Sequence, residues 1–356
     1  MYIEKVNLEN FRNYESQEIN FINGINLFVG NNAQGKTNII ESIYVSAFGK
    51  SYRASKDMEL INFNKDFFRI NLNYKKNNIN SKIEIFVDKN NRKSIKENGV
   101  KISKIADHVG SLLVIIFSPD SLDIVKGSPS KRRNFIDVIC SQLSKSYLIA
   151  YQEYMKCLKL KNAMLKKDIL DKDYIYILHE KMSEDIYKIV RSRNDIINKL
   201  LKKSKIIQSN LTNNEEDIDL IYQTDFLNKS KDEIKMYLDE HLYIDILRKS
   251  SVKGIQRDDL LININGEDVS KYGSQGQKRT ALLTLKLANF EVFIDEKDDI
   301  PILLLDDIMS ELDSKRISFL LKYIENYQSI ITTTDASFVK DVKNIVISSV
   351  KCGKVE

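Results

Sequence analysis

Apolar and polar residues alternate in the first part of the chain, a pattern typical of β-strands. Residues 25–29 alternate just before a glycine-containing loop, and residues 39–47 then follow helical spacing. Further alternating runs between residues 67 and 102 indicate an antiparallel sheet, with Asn98-Gly99 as a tight turn. This part of the sequence therefore predicts a mixed α/β structure.

A long middle segment has a different pattern. Residues 130–253 contain neither glycine nor proline, although the chain has 12 Gly and 3 Pro. Apolar residues there recur every three or four positions, which predicts amphipathic helices. The polar patch Asp168–Asp173 predicts the bend of a helical hairpin, and Asn210–Asp217 predicts a second break. A short strand over 218–222 and a final helix over 231–249 are expected to follow.

These patterns divide the chain into three segments. Residues 1–129 and 254–356 have the α/β pattern, and residues 130–253 separate them. We therefore predict an α/β head with an antiparallel β subdomain, split by a mainly helical insertion that forms a second lobe or arm. The two halves of the head are expected to meet in space. A chain of 356 residues is long enough for two domains.

Charge and composition add to this picture. The net charge is only +5, but residues 130–205 hold 18 basic and 9 acidic side chains. Solvated helix faces and an anion-binding surface are both compatible with that excess. The apolar run Leu112–Phe117 is too short to span a bilayer, and the N-terminus has no signal-peptide pattern. Three cysteines without metal or redox spacing favour a reducing compartment, so we expect a cytoplasmic protein with no membrane partner.

The segment after residues 25–29 matches the phosphate-binding pattern GxxxxGK[ST]. Its residues are Gly30, Asn31, Asn32, Ala33, Gln34, Gly35, Lys36 and Thr37. The backbone N–H groups of such a loop point inward around a phosphate, and glycine permits the curvature. We expect all eight residues to bind a nucleotide. Lys36 would reach the β- and γ-phosphates, and Thr37 would ligate Mg²⁺.

A second motif joins two carboxylates to an apolar strand. Residues 302–305 are apolar, and Asp306 and Asp307 follow them directly. Open parallel sheets bind ligands at the carboxyl ends of their strands. We expect Asp306 to hold Mg²⁺, partly through water, and Asp307 to orient or deprotonate an attacking water.

A third motif precedes a strong helical pattern. In Gly273-Ser274-Gln275-Gly276-Gln277, Ser274 and Gly276 would lie at a helix N-terminus, where negative ligands are favoured. The segment resembles the signature loop of ABC-type ATPases. Ser310–Asp313 resembles the D-loop that follows the aspartate strand in that class. Simple GTPases and kinases have no such pair.

Together these motifs resemble the RecF family of SMC-like ABC-type ATPases. The resemblance rests on Phe11-Arg12-Asn13-Tyr14, Lys126–Pro129 with Arg132-Arg133, Arg257–Leu260, Gly273–Thr280 and Thr332–Asp335. It implies a weak, DNA-stimulated ATPase with ATP and Mg²⁺ as cofactors. It also implies an ATP-dependent homodimer, in which Ser274 acts in trans on the nucleotide of the partner. Such a clamp would bind DNA at gaps and junctions without sequence preference. It would work with RecO- and RecR-type mediator proteins in DNA repair, recombination and replication.

The chain departs from relatives at two places. RecF relatives usually have Pro-His before the arginine of Arg257–Leu260, where this chain has Ile255-Gln256. ABC transporters have a histidine where this chain has Thr332–Asp335. A hydroxyl stabilises transferring charge less than an imidazole does, so we expect slow hydrolysis.

Several basic residues lie in or near the motifs. Arg53 is expected to reach the nucleotide phosphates. Lys131, Arg132 and Arg133 are expected to bind DNA phosphates, although acidic residues of the head are alternative partners for the two arginines. An ordinary surface ion pair is a further alternative for each arginine.

Three functions are compatible with the motifs. A RecF-type DNA-bound ATPase is favoured over the motor subunit of an ABC transporter, because 270 residues separate Lys36 from Asp306. A non-hydrolysing nucleotide-gated scaffold differs from the first only in the role of Asp307. Residues 130–253 are too few for the long coiled-coil arm of a true SMC protein.

Overall fold

The computed structural model describes residues 1–167, 169–297, 299–339 and 342–356. Its strands are β1 (Tyr2–Phe11), β2 (Tyr14–Asn20), β3 (Ile25–Val29), β4 (Phe67–Lys76), β5 (Ile79–Asp88), β6 (Lys93–Glu97), β7 (Val100–Lys101), β8 (Val114–Phe117), β9 (Ile218–Gln223), β10 (Asp259–Ile264), β11 (Glu267–Asp268), β12 (Ile302–Asp306), β13 (Ser329–Thr333), β14 (Ile345–Lys351) and β15 (Lys354–Val355). Its α-helices are α1 (Lys36–Phe48), α2 (Asp123–Lys126), α3 (Pro129–Leu143), α4 (Lys145–Met164), α5 (Lys172–Thr212), α6 (Lys231–Glu240), α7 (Leu242–Arg248), α8 (Val269–Tyr272), α9 (Gln275–Lys297) and α10 (Ser314–Ile324).

The chain divides into two compact units. The first unit contains residues 1–122 and 289–356, and the second contains residues 123–288. Two distant parts of the chain thus form one α/β unit, as predicted for a head interrupted by an insertion. The division differs from the expected segments at one end. Residues 254–288, which we assigned to the head, lie in the second unit, and the division falls inside α9.

A largely parallel sheet forms the centre of the first unit. Its strand order is β15-β14-β3-β13-β12-β8, and only β15 pairs antiparallel to its neighbour. The buried strands β12 and β13 are covered on both faces, as is usual for parallel sheets. Because β3, β13 and β12 are parallel neighbours, the segments that follow them begin at one edge of the sheet.

The first unit also contains an antiparallel sheet, of order β2-β1-β4-β5-β6-β7. This confirms the sheet predicted between residues 67 and 102. Asn98 and Gly99 both have positive φ, 50° and 82°, as the predicted tight turn requires. Helix α1 contacts strands of both sheets, which explains why nearly all its residues from Ile39 onward are buried.

The second unit is mainly helical. This was predicted for residues 130–253, which make up most of it. Helices α4 and α5 form the expected hairpin, and the Asp171 side chain caps α5 by accepting from the Tyr174 backbone N–H. Asp168, at the start of the predicted bend, lies outside the described residues. The predicted final helix is instead two helices, α6 and α7, separated at His241. The imidazole Nδ1 of His241 lies 2.7 Å from the Tyr237 carbonyl oxygen at the end of α6.

The predicted strand over 218–222 is confirmed as β9. It pairs antiparallel with β10, and β11 completes a small three-stranded sheet in the second unit. Among the described residues, no helix has the length and apolar content needed to cross a membrane.

Buried charges connect the elements of the second unit. The Arg193 guanidinium on α5 contacts Asp137 on α3 and Asp258 before β10, each at 2.8 Å. The hydroxyls of Tyr147 and Tyr222 donate to the same two carboxylates, at 2.5 and 2.6 Å. Removing one member of such a buried pair typically costs about 3–5 kcal/mol, because a charge is left without its partner. The network therefore fixes α3, α5, β9 and β10 against one another.

Helix α9 buries a lysine. Lys286 is 6% exposed, and its ammonium lies 5.4 Å from the centre of the Phe135 ring on α3. Burial lowers the pKa of Lys286 to about 7. In the native protein this lysine is therefore easier to deprotonate than in the unfolded chain.

We predict that replacing Lys286 changes how stability depends on pH. Between pH 7 and 10.5, the ordinary lysine value, the unfolded chain binds a proton that the native chain largely lacks. Native stability therefore rises with pH across this window, by up to about 1.4 kcal/mol per pH unit. Lys286→Met lacks this contribution, so its stability relative to wild type should fall as pH rises. Urea denaturation at pH 7, 8 and 9 measures the difference.

The exposed Lys202 on α5 provides the matched control. The stability of Lys202→Met relative to wild type should be nearly constant over the same pH range. An equally flat difference for Lys286→Met would contradict the prediction.

Candidate functional site

The predicted phosphate loop connects β3 to α1. Gly30 has no room for a side chain, since a Cβ there would lie 2.3 Å from the Val350 carbonyl oxygen. Gly35 has φ 112°, which favours glycine, and a Cβ there would lie 2.6 Å from the Asn13 side chain. Ala33 has φ 63°, a left-handed conformation that is unfavourable for an L-residue with a Cβ. The loop thus has the tight curvature expected of a phosphate-binding segment.

Lys36 is buried at the start of α1. Its ammonium donates to the carbonyl oxygens of Gly30 and Asn31, the second at 2.8 Å. Burial lowers the pKa of Lys36, and the negative charges of Asp307 and Asp306 oppose that shift. A phosphate would accept from this ammonium more strongly than neutral carbonyl groups do. The ammonium is therefore placed to bind an anion in the loop.

Three hydroxyl groups hold the carboxylate of Asp306 at the end of β12. The hydroxyls of Thr37 and Thr332 donate to Oδ1, at 2.8 and 2.9 Å. The Tyr52 hydroxyl donates to Oδ2, at 2.9 Å. Thr37 and Asp306 were expected to share a metal ion, and the structure brings them into direct contact. Sequence analysis did not identify Tyr52, which lies 254 residues before Asp306 in the sequence.

Asp307 has an unusual backbone and an unpaired oxygen. Its φ of 52° lies in the left-handed region, and its N–H donates to the Thr332 carbonyl at 3.1 Å. Its Oδ1 is buried and accepts no hydrogen bond within the described part of the chain. Burial raises the pKa of Asp307, and Asp306 and Glu311 add to the rise while Lys36 opposes it. A carboxylate with a raised pKa is a better proton acceptor, as a general base requires.

The residues at this edge of the sheet fit a nucleotide with Mg²⁺. The Thr37 hydroxyl and the Asp306 carboxylate are oxygen donors, which Mg²⁺ prefers. Over the described ranges, no group of three or more His, Cys, Asp or Glu side chains could hold a metal ion by itself. Phosphate oxygens and water would therefore have to complete the coordination, as is common for Mg²⁺ with nucleotides.

A fully buried glutamate lies near the loop, on α1. The Glu41 carboxylate accepts hydrogen bonds from Nε and NH2 of Arg12, at 2.9 and 2.8 Å, and from the Ser51 hydroxyl, at 2.5 Å. Arg53 is half-exposed, and its NH1 is 3.9 Å from the same carboxylate. Sequence analysis singled out Arg12 and Arg53 but not their shared acceptor. The sequence feature that could have identified Glu41 is its position, one helical turn after Thr37 and among the apolar residues of α1.

The predicted signature loop lies in the second unit. Ser274 is exposed, and its Oγ accepts the Gln277 backbone N–H at 3.1 Å. The Gln277 side chain accepts the Ser274 N–H in return, at 2.9 Å. This reciprocal pair is a capping box at the start of α9. Gly276 lies in the first turn of that helix, so both predicted residues are at a helix N-terminus.

The three predicted DNA contacts differ in their surroundings. Lys131 has a side chain that is 54% exposed. Arg132 is only 7% exposed, and it pairs with both oxygens of Asp259, at 2.7 and 2.8 Å. Arg133 donates to the Asp258 carbonyl at 2.7 Å. Arg132 thus has an acidic partner, Asp259, in residues 254–356, which we assigned to the head, and its Nε and NH2 groups are used in that pair.

The departure before Arg257 has a local structural role. Gln256 accepts the Tyr154 hydroxyl and donates to the Lys253 carbonyl, at 3.0 Å for the second bond. Ile255 is buried. In this chain the two residues thus hold the segment before β10 in place, while Arg257 is exposed.

Comparison with known proteins agrees with the motifs. The family model described as RecF/RecN/SMC N terminal domain matches residues 2–354. A DNA replication and repair protein RecF from Clostridium acetobutylicum is 40% identical over 338 residues, which is 94% of this chain and 93% of the relative. The protein of the same name from Clostridium tetani is 40% identical and covers 100% of this chain and 98% of its own length.

Solved structures give the same result. The recombination mediator protein RecF-ATPrS in the RecFOR pathway has a TM-score of 0.93 and 35% identity, with 100% of this chain and 97% of that chain covered. The corresponding RecF-ATP structure has a TM-score of 0.92. An Smc head bound to the C-winged helix domain of ScpA has a TM-score of 0.60 at 19% identity, with 100% of this chain and 96% of that chain covered, and shares the fold alone. This chain belongs to the RecF family of DNA replication and repair proteins, within the wider RecF/RecN/SMC group of ATPases.

Proposed function

We propose that this chain is an ATP-dependent DNA-binding protein of recombinational repair and replication-fork maintenance. It would form an ATP-driven dimer clamp at gaps and junctions and help to load recombinase through RecO- and RecR-type mediators. The observation that carries this proposal is the convergence of the phosphate loop, Asp306 and Asp307 at one sheet edge, in a chain similar over its full length to RecF-ATP. Since its substrate would be the chromosome, we infer a cytoplasmic location. Membership of the RecF family argues against the motor subunit of a transporter.

Nucleotide binding would use the loop and the N-terminus of α1. Backbone N–H groups and the Lys36 ammonium would hold the phosphates, and the helix dipole would favour their negative charge. Thr37 and Asp306 would hold Mg²⁺, which neutralises phosphate charge when bound. Arg53 is half-exposed and its NH1 is 3.9 Å from Glu41, so it could reach toward an anion by giving up a long ionic contact.

Hydrolysis would be slow. Asp307 would accept the proton of the attacking water, because its raised pKa and unpaired buried oxygen suit that role. Thr332 occupies the strand end where a transporter has its histidine. Its hydroxyl already donates to Asp306, so it offers little stabilisation to transferring charge.

Dimerisation would depend on the signature loop. The capping box uses the Ser274 oxygen as an acceptor, so the hydroxyl proton can still be donated to a phosphate. The phosphate loop and the signature loop belong to different units of the chain. We propose that Ser274 and Gly276 close over ATP held by the partner chain. The γ-phosphate supplies the charge that the helix N-terminus binds, and ADP lacks it.

DNA binding would use exposed cations of the second unit. Lys131 is the exposed member of the predicted triplet, and Lys202 and Lys205 are exposed on α5. Contacts of this kind bind phosphates and carry no sequence information. Arg132 and Arg133 would support this surface by holding α3 against the segment before β10.

The first prediction of this proposal concerns Lys36. Lys36→Ala removes a charge-assisted phosphate contact worth about 1.5–3 kcal/mol. ATP affinity should fall at least about tenfold, as measured by calorimetric titration with Mg²⁺ present. The control Lys50→Ala changes an exposed lysine just beyond α1 and should bind as wild type does. Unchanged affinity in folded Lys36→Ala would show that the phosphate site is assigned wrongly.

The second prediction concerns the dimer. Asp307→Asn keeps the shape but removes the proposed base, so it should bind ATP, hydrolyse it poorly and accumulate as a dimer. Ser274→Arg should bind ATP yet stay monomeric, because a bulky cation blocks the closed interface. Light scattering with ATP, with ADP and without nucleotide distinguishes these states.

Met236→Arg is the control for the dimer experiment, because it adds the same side chain at a position of α6 that is 60% exposed. It should dimerise with ATP as wild type does. Wild-type protein that is equally monomeric under all three conditions, with and without DNA, would disprove the clamp.

The third prediction concerns salt. DNA affinity should fall steeply with salt, and Lys131→Ala should lower the slope of log K against log[salt] by up to about 0.9 for duplex DNA. The control Lys82→Ala, in the first unit, should leave the slope unchanged. Arg132→Ala should instead destabilise the fold by a few kcal/mol, on the order seen for buried ion pairs. A slope that Lys131→Ala leaves unchanged would place the DNA site elsewhere.

A further inference from the structure

We propose that Tyr52 is a positioning residue that fixes the metal-binding carboxylate of Asp306. This inference rests on the proposed binding of Mg²⁺ and ATP, and adds a residue that the nucleotide-binding motifs do not contain. The hydroxyl of Tyr52 donates to Oδ2 of Asp306 at 2.9 Å, while Thr37 and Thr332 donate to Oδ1. Both oxygens of the carboxylate are therefore held, and its plane cannot rotate freely.

The ring of Tyr52 is itself held in place. It packs edge-on against the Tyr44 ring, with centroids 5.1 Å apart, and Tyr44 stacks on Phe48 at 4.4 Å. Both partner rings are buried residues of α1, the helix that also carries Thr37. The helix that supplies one proposed metal ligand thus also orients the side chain that fixes the other.

The backbone around Tyr52 is also fixed. The Ser51 oxygen accepts the N–H groups of Arg53 and Ala54, at 2.8 and 2.9 Å. Its hydroxyl donates to the fully buried carboxylate of Glu41. These bonds form a tight turn that begins immediately before Tyr52, so the phenol has little freedom to leave Asp306.

Metal binding would change the hydrogen bond to one oxygen of Asp306 and leave the hydrogen bond to the other intact. Oδ1 contacts the Thr37 hydroxyl, whose oxygen would turn to Mg²⁺. Oδ2 accepts the Tyr52 hydroxyl, which is not needed as a metal ligand and can keep its bond. Hydrogen bonds of this kind orient metal ligands, and their loss typically lowers metal affinity by about 10–100-fold. Tyr52 would therefore set how readily Mg²⁺ joins the bound nucleotide.

Tyr52→Phe tests this role, because it removes the hydroxyl and leaves the ring to pack on Tyr44. The probe is a fluorescent ATP analogue. Its affinity is measured in EDTA, and a separate metal-free sample without EDTA is titrated with Mg²⁺. We expect wild-type affinity for the analogue in EDTA and about tenfold more Mg²⁺ at half-saturation of the Mg²⁺-dependent signal. Thermal unfolding of each variant shows that the fold is intact.

Tyr44→Phe is the matched control, because it removes a hydroxyl from the neighbouring ring. It should need the same Mg²⁺ concentration as wild type. A Tyr52→Phe protein that also needs wild-type Mg²⁺ would overturn the inference. So would a variant that already binds the analogue more weakly in EDTA, since Tyr52 would then act on the nucleotide pocket. Wild-type protein that does not bind the analogue at all would overturn the proposed ATP binding itself.

Discussion

The parallel pairing of β3, β13 and β12 is the constraint on which the proposed nucleotide site depends. The predicted phosphate loop follows β3, Asp306 and Asp307 lie at the end of β12, and Thr332 lies near the end of β13. In the sheet register Asp306 pairs with Thr332, and Thr333 pairs with Val29. The parallel direction of these strands brings three distant chain segments to one edge of the sheet. For this reason Thr37 and Asp306, 269 residues apart in the sequence, are hydrogen-bonded neighbours.

The second unit contains long helices. Buried ion pairs hold them in place against the rest of that unit. Arg193 joins Asp137 and Asp258, and Arg132 joins Asp259. Asp258 and Asp259 lie in the Arg257–Leu260 motif, so here that motif supplies partners to buried arginines. Their cost in desolvation is offset only by close, fully hydrogen-bonded geometry, which the network provides.

The sequence predicted the phosphate loop, the aspartate strand, the antiparallel sheet and the helical insertion, because each depends on local pattern or fixed spacing. Four features were not predicted. Tyr52 and Glu41 acquire their roles from partners in other elements, which no local pattern encodes. Arg132 was expected to contact a phosphate. Its pairing with Asp259, 127 residues away, cannot be predicted from the local sequence. The observed division falls inside α9 and not at residue 254, because β10 pairs with β9 of the insertion.

The charges at the sheet edge favour a metal ion in the proposed mechanism. Asp306, Asp307 and Glu311 are negative, and the ammonium of Lys36 interacts with the pair of aspartates. Arg12 is neutralised by the buried Glu41. Free ATP would therefore meet a carboxylate-rich site with little positive charge to spare. The complex of ATP with Mg²⁺ carries less negative charge and brings a cation to the carboxylates. The proposed site would therefore favour the metal complex over the free nucleotide, and the orientation of Asp306 would determine how well it binds that complex.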